Sequence, residues 1–102
     1  MENKYYKPLP SYLTIKPSPI EGLGLFATEF IPNGKVFGIT HVKDKRFPDG
    51  YIRTALGSFF NHSENPNCKL IHTRDFILIE SIMDIQPSEE ITALYSLYDP
   101  TK

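Results

Sequence analysis

Apolar residues along this chain come in short runs, and each run stops at a cluster of prolines, glycines or small polar residues. Leu13-Thr14-Ile15 has the pattern of a strand and is closed by Pro17-Ser18-Pro19; Leu23 to Thr28 is a second. Pro32-Asn33-Gly34 turns the chain into Lys35 to Ile39. His41 to Gly50 is polar, with Pro48-Asp49-Gly50 as a turn. Cys68 to His72 and Phe76 to Glu80 read as a hairpin around Thr73-Arg74-Asp75. Ile82 to Ile85 and Ile91 to Tyr95 complete the set, separated by Gln86-Pro87-Ser88-Glu89. Nine prolines and six glycines leave little room for helices. The best helical stretch is Ile52 to Ser58, at most about two turns. Two segments echo one another: Phe30 to Val36 and Asp84 to Ile91 each place an isoleucine before a turn and an aliphatic strand after it. The pattern predicts a mostly β domain with two similar corners and at most one short helix.

Composition narrows the function classes. At 102 residues, 40% of them hydrophobic, with six Tyr and seven Phe, the chain has the makings of one packed domain. Lys and Arg number 11 against 12 Asp and Glu, a net charge of -1, which provides no basic footprint for direct nucleic-acid binding. Lys43-Asp44-Lys45-Arg46 mixes signs and reads as a solvated loop. The single cysteine, Cys68, allows neither an internal disulfide nor a thiolate zinc cluster, and reads as a small buried apolar residue. Met1-Glu2-Asn3-Lys4 begins no signal peptide and no window has the length of a membrane span, so a cytoplasmic protein without membrane contact is expected.

Three stretches carry candidate chemistry. Gly22-Leu23-Gly24 stands directly before an apolar strand, where a missing Cβ lets another group come close to the main chain. Phe59-Phe60-Asn61-His62-Ser63-Glu64-Asn65-Pro66-Asn67 crowds polar side chains behind two aromatics, a poor recipe for regular structure because those side chains compete for backbone hydrogen bonds. Its bland reading is an Asx-type turn closing on itself. Asn61-His62-Ser63 is also a formal glycosylation acceptor, a reading that needs secretion. His62 has no neighbour at metal-ligand spacing, and no metal site is expected. The third stretch is Glu89-Glu90-Ile91-Thr92-Ala93-Leu94-Tyr95, in which adjacent Glu89 and Glu90 face opposite sides of a strand and cannot share an acid–base site. His41 and His72 read as surface or loop histidines.

In this order and at these separations, the three stretches resemble the SET domain family of S-adenosylmethionine-dependent protein-lysine methyltransferases. The resemblance covers roughly residues 13–98, leaving 1–12 as an N-terminal arm and 99–102 as a tail. It implies a SET-type β-clip of short strands, with the C-terminal segment threaded under the preceding loop as a pseudoknot. It implies S-adenosylmethionine as cofactor, with Gly22, Leu23 and Gly24 offering backbone groups to its amino-acid end. Asn61 would bond the ammonium and His62 would present its backbone to the adenine. Tyr95 would be the catalytic residue, and Tyr51, Phe60 and Tyr98 candidate walls of a lysine channel, each with core packing as the alternative. The partner implied is a lysine-containing protein or peptide.

Departures from the family pattern bound the reading. Ser63 is followed by Glu64 where the family usually has cysteine, Ser88 stands where it has glycine, and the connection between Ile39 and Asn61 is short. No cysteine-rich segment follows the domain. Tyr98, the N-terminal arm or a second copy of the chain would then complete the channel, which makes a homodimer an expectation. The competing readings are a catalytically inactive SET-like module that binds a partner or the cofactor without transfer, and a small β-barrel interaction domain with no cofactor.

Overall fold

A computed structural model describes residues 9–94. Its elements are β1 (Leu13–Pro17), β2 (Leu23–Ala27), β3 (Val36–Lys43), β4 (Tyr51–Arg53), α1 (Ala55–Phe59), β5 (Asn61–His62), β6 (Cys68–His72), β7 (Phe76–Ser81) and β8 (Thr92–Ala93). The fold is therefore mostly β with one short helix, as the punctuation of the sequence predicts. β1 and β2 form an antiparallel pair, Ile15 opposite Leu25. The other six strands form one sheet in the order β4-β3-β7-β6-β8-β5.

The predicted hairpin is present: β6 and β7 pair antiparallel with Leu70 opposite Ile79, and the Thr73 hydroxyl closes the turn by donating to the Phe76 carbonyl at 2.7 Å. Alternation along β7 sends Ile77, Ile79 and Ser81 inward. Ile79 joins Leu25, Ile31, Ile85 and Ile91 in the core cluster, and Ile77 is fully buried. Each fully buried side chain of this size contributes roughly 1.5–3 kcal/mol.

The two echoing segments are paired with each other. Ile31 and Ile85 exchange both backbone hydrogen bonds at 2.8 Å, and both side chains are buried. Each corner then turns through a left-handed residue, Gly34 at φ 86° in one and Ser88 at φ 75° in the other. Glu89 N–H donates to the Gln86 carbonyl at 3.1 Å, so Pro87 and Ser88 fill the two central positions of a type II turn. Pairing at the corner also explains why Ile82 to Ile85 is not a strand: only Ile85 makes a ladder contact, while Ile82 and Met83 are exposed.

Two boundaries differ from the sequence expectation. β3 continues to Lys43 because β4 pairs alongside it, Val42 opposite Ile52, where a polar loop from His41 is expected. The helix begins at Ala55 instead of Ile52, because Thr54 takes the cap position, its hydroxyl accepting from Gly57 N–H at 3.3 Å. Thr54 Oγ1 also donates to the Ile39 carbonyl at 2.6 Å and ties the helix start to β3. A helix this short is not stable alone; Leu56 buried in the core holds it in place.

β8 lies between β5 and β6 and runs parallel to both, with Ala93 opposite His62 on one side and Cys68 on the other. The connection 63–67 joins two strands that flank β8 in the same direction, so it has to pass over the C-terminal segment. This is the threaded arrangement that the resemblance implies. Asn67 fixes it: Nδ2 donates to the Glu90 carbonyl at 2.7 Å, and Oδ1 accepts from Thr92 N–H at 2.9 Å.

Candidate active site

The strand that leads out of the second corner carries Glu90 to the Gly-x-Gly segment. Ala27 N–H donates to the Glu89 carbonyl at 2.9 Å and Ile91 N–H to the Leu25 carbonyl at 2.8 Å, so residues 88–91 lie antiparallel to β2. β8 then carries β5, and with it Asn61, to the same place. The three motifs thus meet through backbone pairing, with side chains completing the contact.

Asn61 is the centre of that meeting. Its Nδ2 donates to Glu90 Oε2 at 2.7 Å and lies 3.1 Å from Ser18 Oγ, 3.3 Å from the Glu21 carbonyl and 3.4 Å from the Leu23 carbonyl. The Ser18 hydroxyl lies 2.7 and 2.9 Å from the two Glu90 carboxylate oxygens, and Ser18 Oγ accepts from Ile20 N–H at 2.9 Å. Gly24 packs against this cluster: a Cβ there would overlap Glu90 Oε2 and stand 3.1 Å from Asn61 Nδ2.

The expected glycine roles separate accordingly. Gly24 is glycine because Glu90 and Asn61 occupy the space of a side chain, whereas Gly22 has open space around it and holds a left-handed φ of 48°. Leu23, between them, is 50% exposed. His62 sits on β5 with its backbone paired to Ala93 and its side chain exposed, Nε2 lying 3.8 Å from Glu64 Oε2.

Phe60 is a core residue at 7% exposure, in the cluster of Leu25, Phe37 and Leu56, which is the core packing held as the alternative to a channel wall. Tyr51 is on β4, at the opposite end of the sheet order from β5, with its ring edge-to-face on His41 at 5.6 Å. It borders a surface depression of about 530 Å³ lined by Lys43, Asp44, Lys45, Asp49 and Gly50. Tyr95 and Tyr98 lie outside the described residues. The residue expected to be catalytic, Tyr95, follows directly in sequence on Leu94, whose side chain is exposed.

His41 corrects another expectation, being fully buried instead of a surface histidine. Its Nδ1 lies 2.8 Å from Thr40 Oγ1. Burial, with help from Arg53 and His72 against Asp49, holds its pKa down at about 4, so the ring is neutral at pH 7. Burial pushes the Cys68 thiol up to about 12, which leaves no reactive thiolate near the site. Among the described residues no cluster of His, Cys, Asp and Glu could hold a metal, and no helix is long and apolar enough to cross a membrane.

Sequence reasoning missed Ser18 and Glu90 as site residues and Asn67 as the clasp on the C-terminal segment. Ser18 looked like a strand ender between two prolines, and only the long-range contact to Glu90 reveals it.

The architecture and the clustered motifs are those of a SET domain, and a SET domain family model matches residues 40–96, more than half of the chain. The chain belongs to the SET domain family. Among solved structures it is similar to a Plasmodium falciparum protein classed as a histone methyltransferase, at 21% identity and TM-score 0.68, covering 88% of this chain and 97% of that one. It is similar also to the methyltransferase domain of human PR domain-containing protein 2, at 22% identity and TM-score 0.69, covering 89% of this chain and 81% of that one. At these identities the likeness is one of fold.

Proposed function

We propose that this chain is an S-adenosylmethionine-dependent protein-lysine methyltransferase. The observation that supports the reading best is the convergence of Gly24, Asn61 and Glu90 in one cluster, from three motifs of which the outer two are more than 60 residues apart in sequence. The cluster suits the cofactor: the Glu90 carboxylate, the Ser18 hydroxyl and the Glu21 and Leu23 carbonyls make an acceptor-rich surface, complementary to the ammonium of its amino-acid end. When bound, S-adenosylmethionine would supply a methyl group already activated on a sulfonium.

The residues of this chain then have to hold and orient. Asn61 and the carbonyls of the Gly-x-Gly segment would hold the amino-acid end, and the β5 backbone at His62 would be presented to the base. Leu23 and Leu94, both exposed, provide apolar surface beside the cluster and before Tyr95. A lysine amine has a reference pKa of about 10.4 and must lose its proton to attack; an apolar channel disfavours the ammonium and lowers that value. The Tyr95 hydroxyl orients the neutral amine, and alignment of this kind contributes roughly 7–11 kcal/mol.

The test is incubation of the protein with methyl-labelled S-adenosylmethionine and lysine-rich protein substrates. Label on lysine that disappears in Tyr95→Phe is the expected result. Cofactor binding by calorimetry without label transfer would establish the binding-module reading instead, and no heat at millimolar cofactor would leave a β domain without a cofactor.

A further inference from the structure

We propose that Glu90, backed by Ser18, is the positioning residue that fixes the orientation of the Asn61 amide. This deepens the cofactor reading above and rests on it. An asparagine amide presents two N–H donors on one side and a carbonyl acceptor on the other. At Asn61 all four neighbouring groups on the Nδ2 side are acceptors, one of them a carboxylate oxygen at 2.7 Å. Turned over, the amide would set its Oδ1 against that oxygen and three more. The orientation is therefore single, and Oδ1 points away from the cluster, as an acceptor for a donor group on the other side.

Glu90 is itself held. The Ser18 hydroxyl lies against both of its oxygens at 2.7 and 2.9 Å, and its carboxylate rests on the bare Cα of Gly24. Its backbone is pinned where Asn67 Nδ2 donates to its carbonyl at 2.7 Å and where it bridges to Phe26 of β2. A carboxylate fits this place because it has no donor. Glutamine has the same shape but brings an N–H₂, and an amide facing an amide can pair in either sense. Glu90→Gln thus keeps the packing and removes the strongest constraint on which way Asn61 points, leaving only the longer contacts to Ser18, Glu21 and Leu23.

The consequence is selective. The positioned Oδ1 serves only a ligand that carries an ammonium at that end. Calorimetry with the native chain, Glu90→Gln and Glu90→Asp would compare S-adenosylmethionine with 5′-methylthioadenosine, which has the nucleoside but lacks the amino-acid end. Glu90→Gln is expected to weaken S-adenosylmethionine by about tenfold, the loss of one charge-assisted hydrogen bond, and to leave methylthioadenosine within about twofold. Glu90→Asp, which keeps the charge, should recover part of the loss, with circular dichroism confirming the native fold in each variant. An equal loss for both ligands, or no loss for either, overturns the positioning role. Absence of S-adenosylmethionine binding to the native chain overturns the cofactor reading itself, a distinct outcome visible before any variant is made.

Discussion

Replacing Ser88 by glycine should make the protein more stable, although it removes a side chain. Ser88 holds φ 75° and is the only non-glycine described residue with a positive φ. Gly34 holds the matching place in the partner corner at φ 86°. A Cβ in the left-handed region costs roughly 1–2 kcal/mol in the folded state. Glycine's extra freedom in the unfolded chain takes back about 0.4–1 kcal/mol. The difference centres on about 0.8 kcal/mol in favour of Ser88→Gly, or ~3–6 °C in Tm for a domain of this size. The backbone bond from residue 88 N–H to the Ala27 carbonyl, 2.7 Å, survives the change. Gly34→Ala provides the mirror experiment. A Cβ there meets nothing within 4 Å, so the loss, of about the same size and opposite sign, is purely conformational. Thermal unfolding followed by far-ultraviolet circular dichroism, with urea titration to check that m is unchanged, measures both. If Ser88→Gly leaves Tm unchanged or lowers it while Gly34→Ala costs nothing, the left-handed turn is not a source of strain and the argument fails.

The remaining predictions concern packing, the C-terminal clasp and pH. Gly57→Ala would drive a methyl into the Thr40 carbonyl, whose carbon would lie 2.9 Å away on the backbone of β3, and should cost about 2–3 kcal/mol by urea titration. Asn67→Ala removes the donor to the Glu90 carbonyl and the acceptor for Thr92 N–H and should cost about 2–4 kcal/mol, with Asn67→Asp intermediate because it keeps only the acceptor. His41 is neutral in the fold, its pKa lowered to about 4 from an unfolded value of about 6.5. The unfolded chain takes up its proton first as pH falls, so stability from this group is intact above pH 6.5 and is lost down to pH 4, by about 1–3 kcal/mol. Urea midpoints across that range should decline in the native chain and decline less in His41→Asn.

How much of this was legible in the sequence depended on whether the information was local. The β6–β7 hairpin could be read because alternation and turn residues are neighbours in the chain. The likeness of the two corners was equally visible, yet that Ile31 and Ile85 bond to each other could not be seen, since nothing in either segment names its partner. His41 looked like a loop residue because its burial comes from β4 and β7 closing around it, a tertiary event. Asn61, Gly22 and Gly24 stood out through family resemblance, whereas Ser18 and Glu90 are defined by a contact spanning 72 positions. Phe60 and Tyr51 stood out by being aromatic, but a sequence does not say that Phe60 is buried in the core or that the Tyr51 ring packs on His41.

The position of β8 bears on how the protein is born. Among the described residues β5 pairs with no strand of the sheet except β8, so a nascent chain emerging from the ribosome cannot seat Asn61 by strand pairing until residues 90–93 have been added. The hairpin and the first corner can condense earlier, but the Asn61 cluster waits for residues 90–93. A fragment halted before residue 90 would hold most of the hydrophobic interior and none of the assembled site.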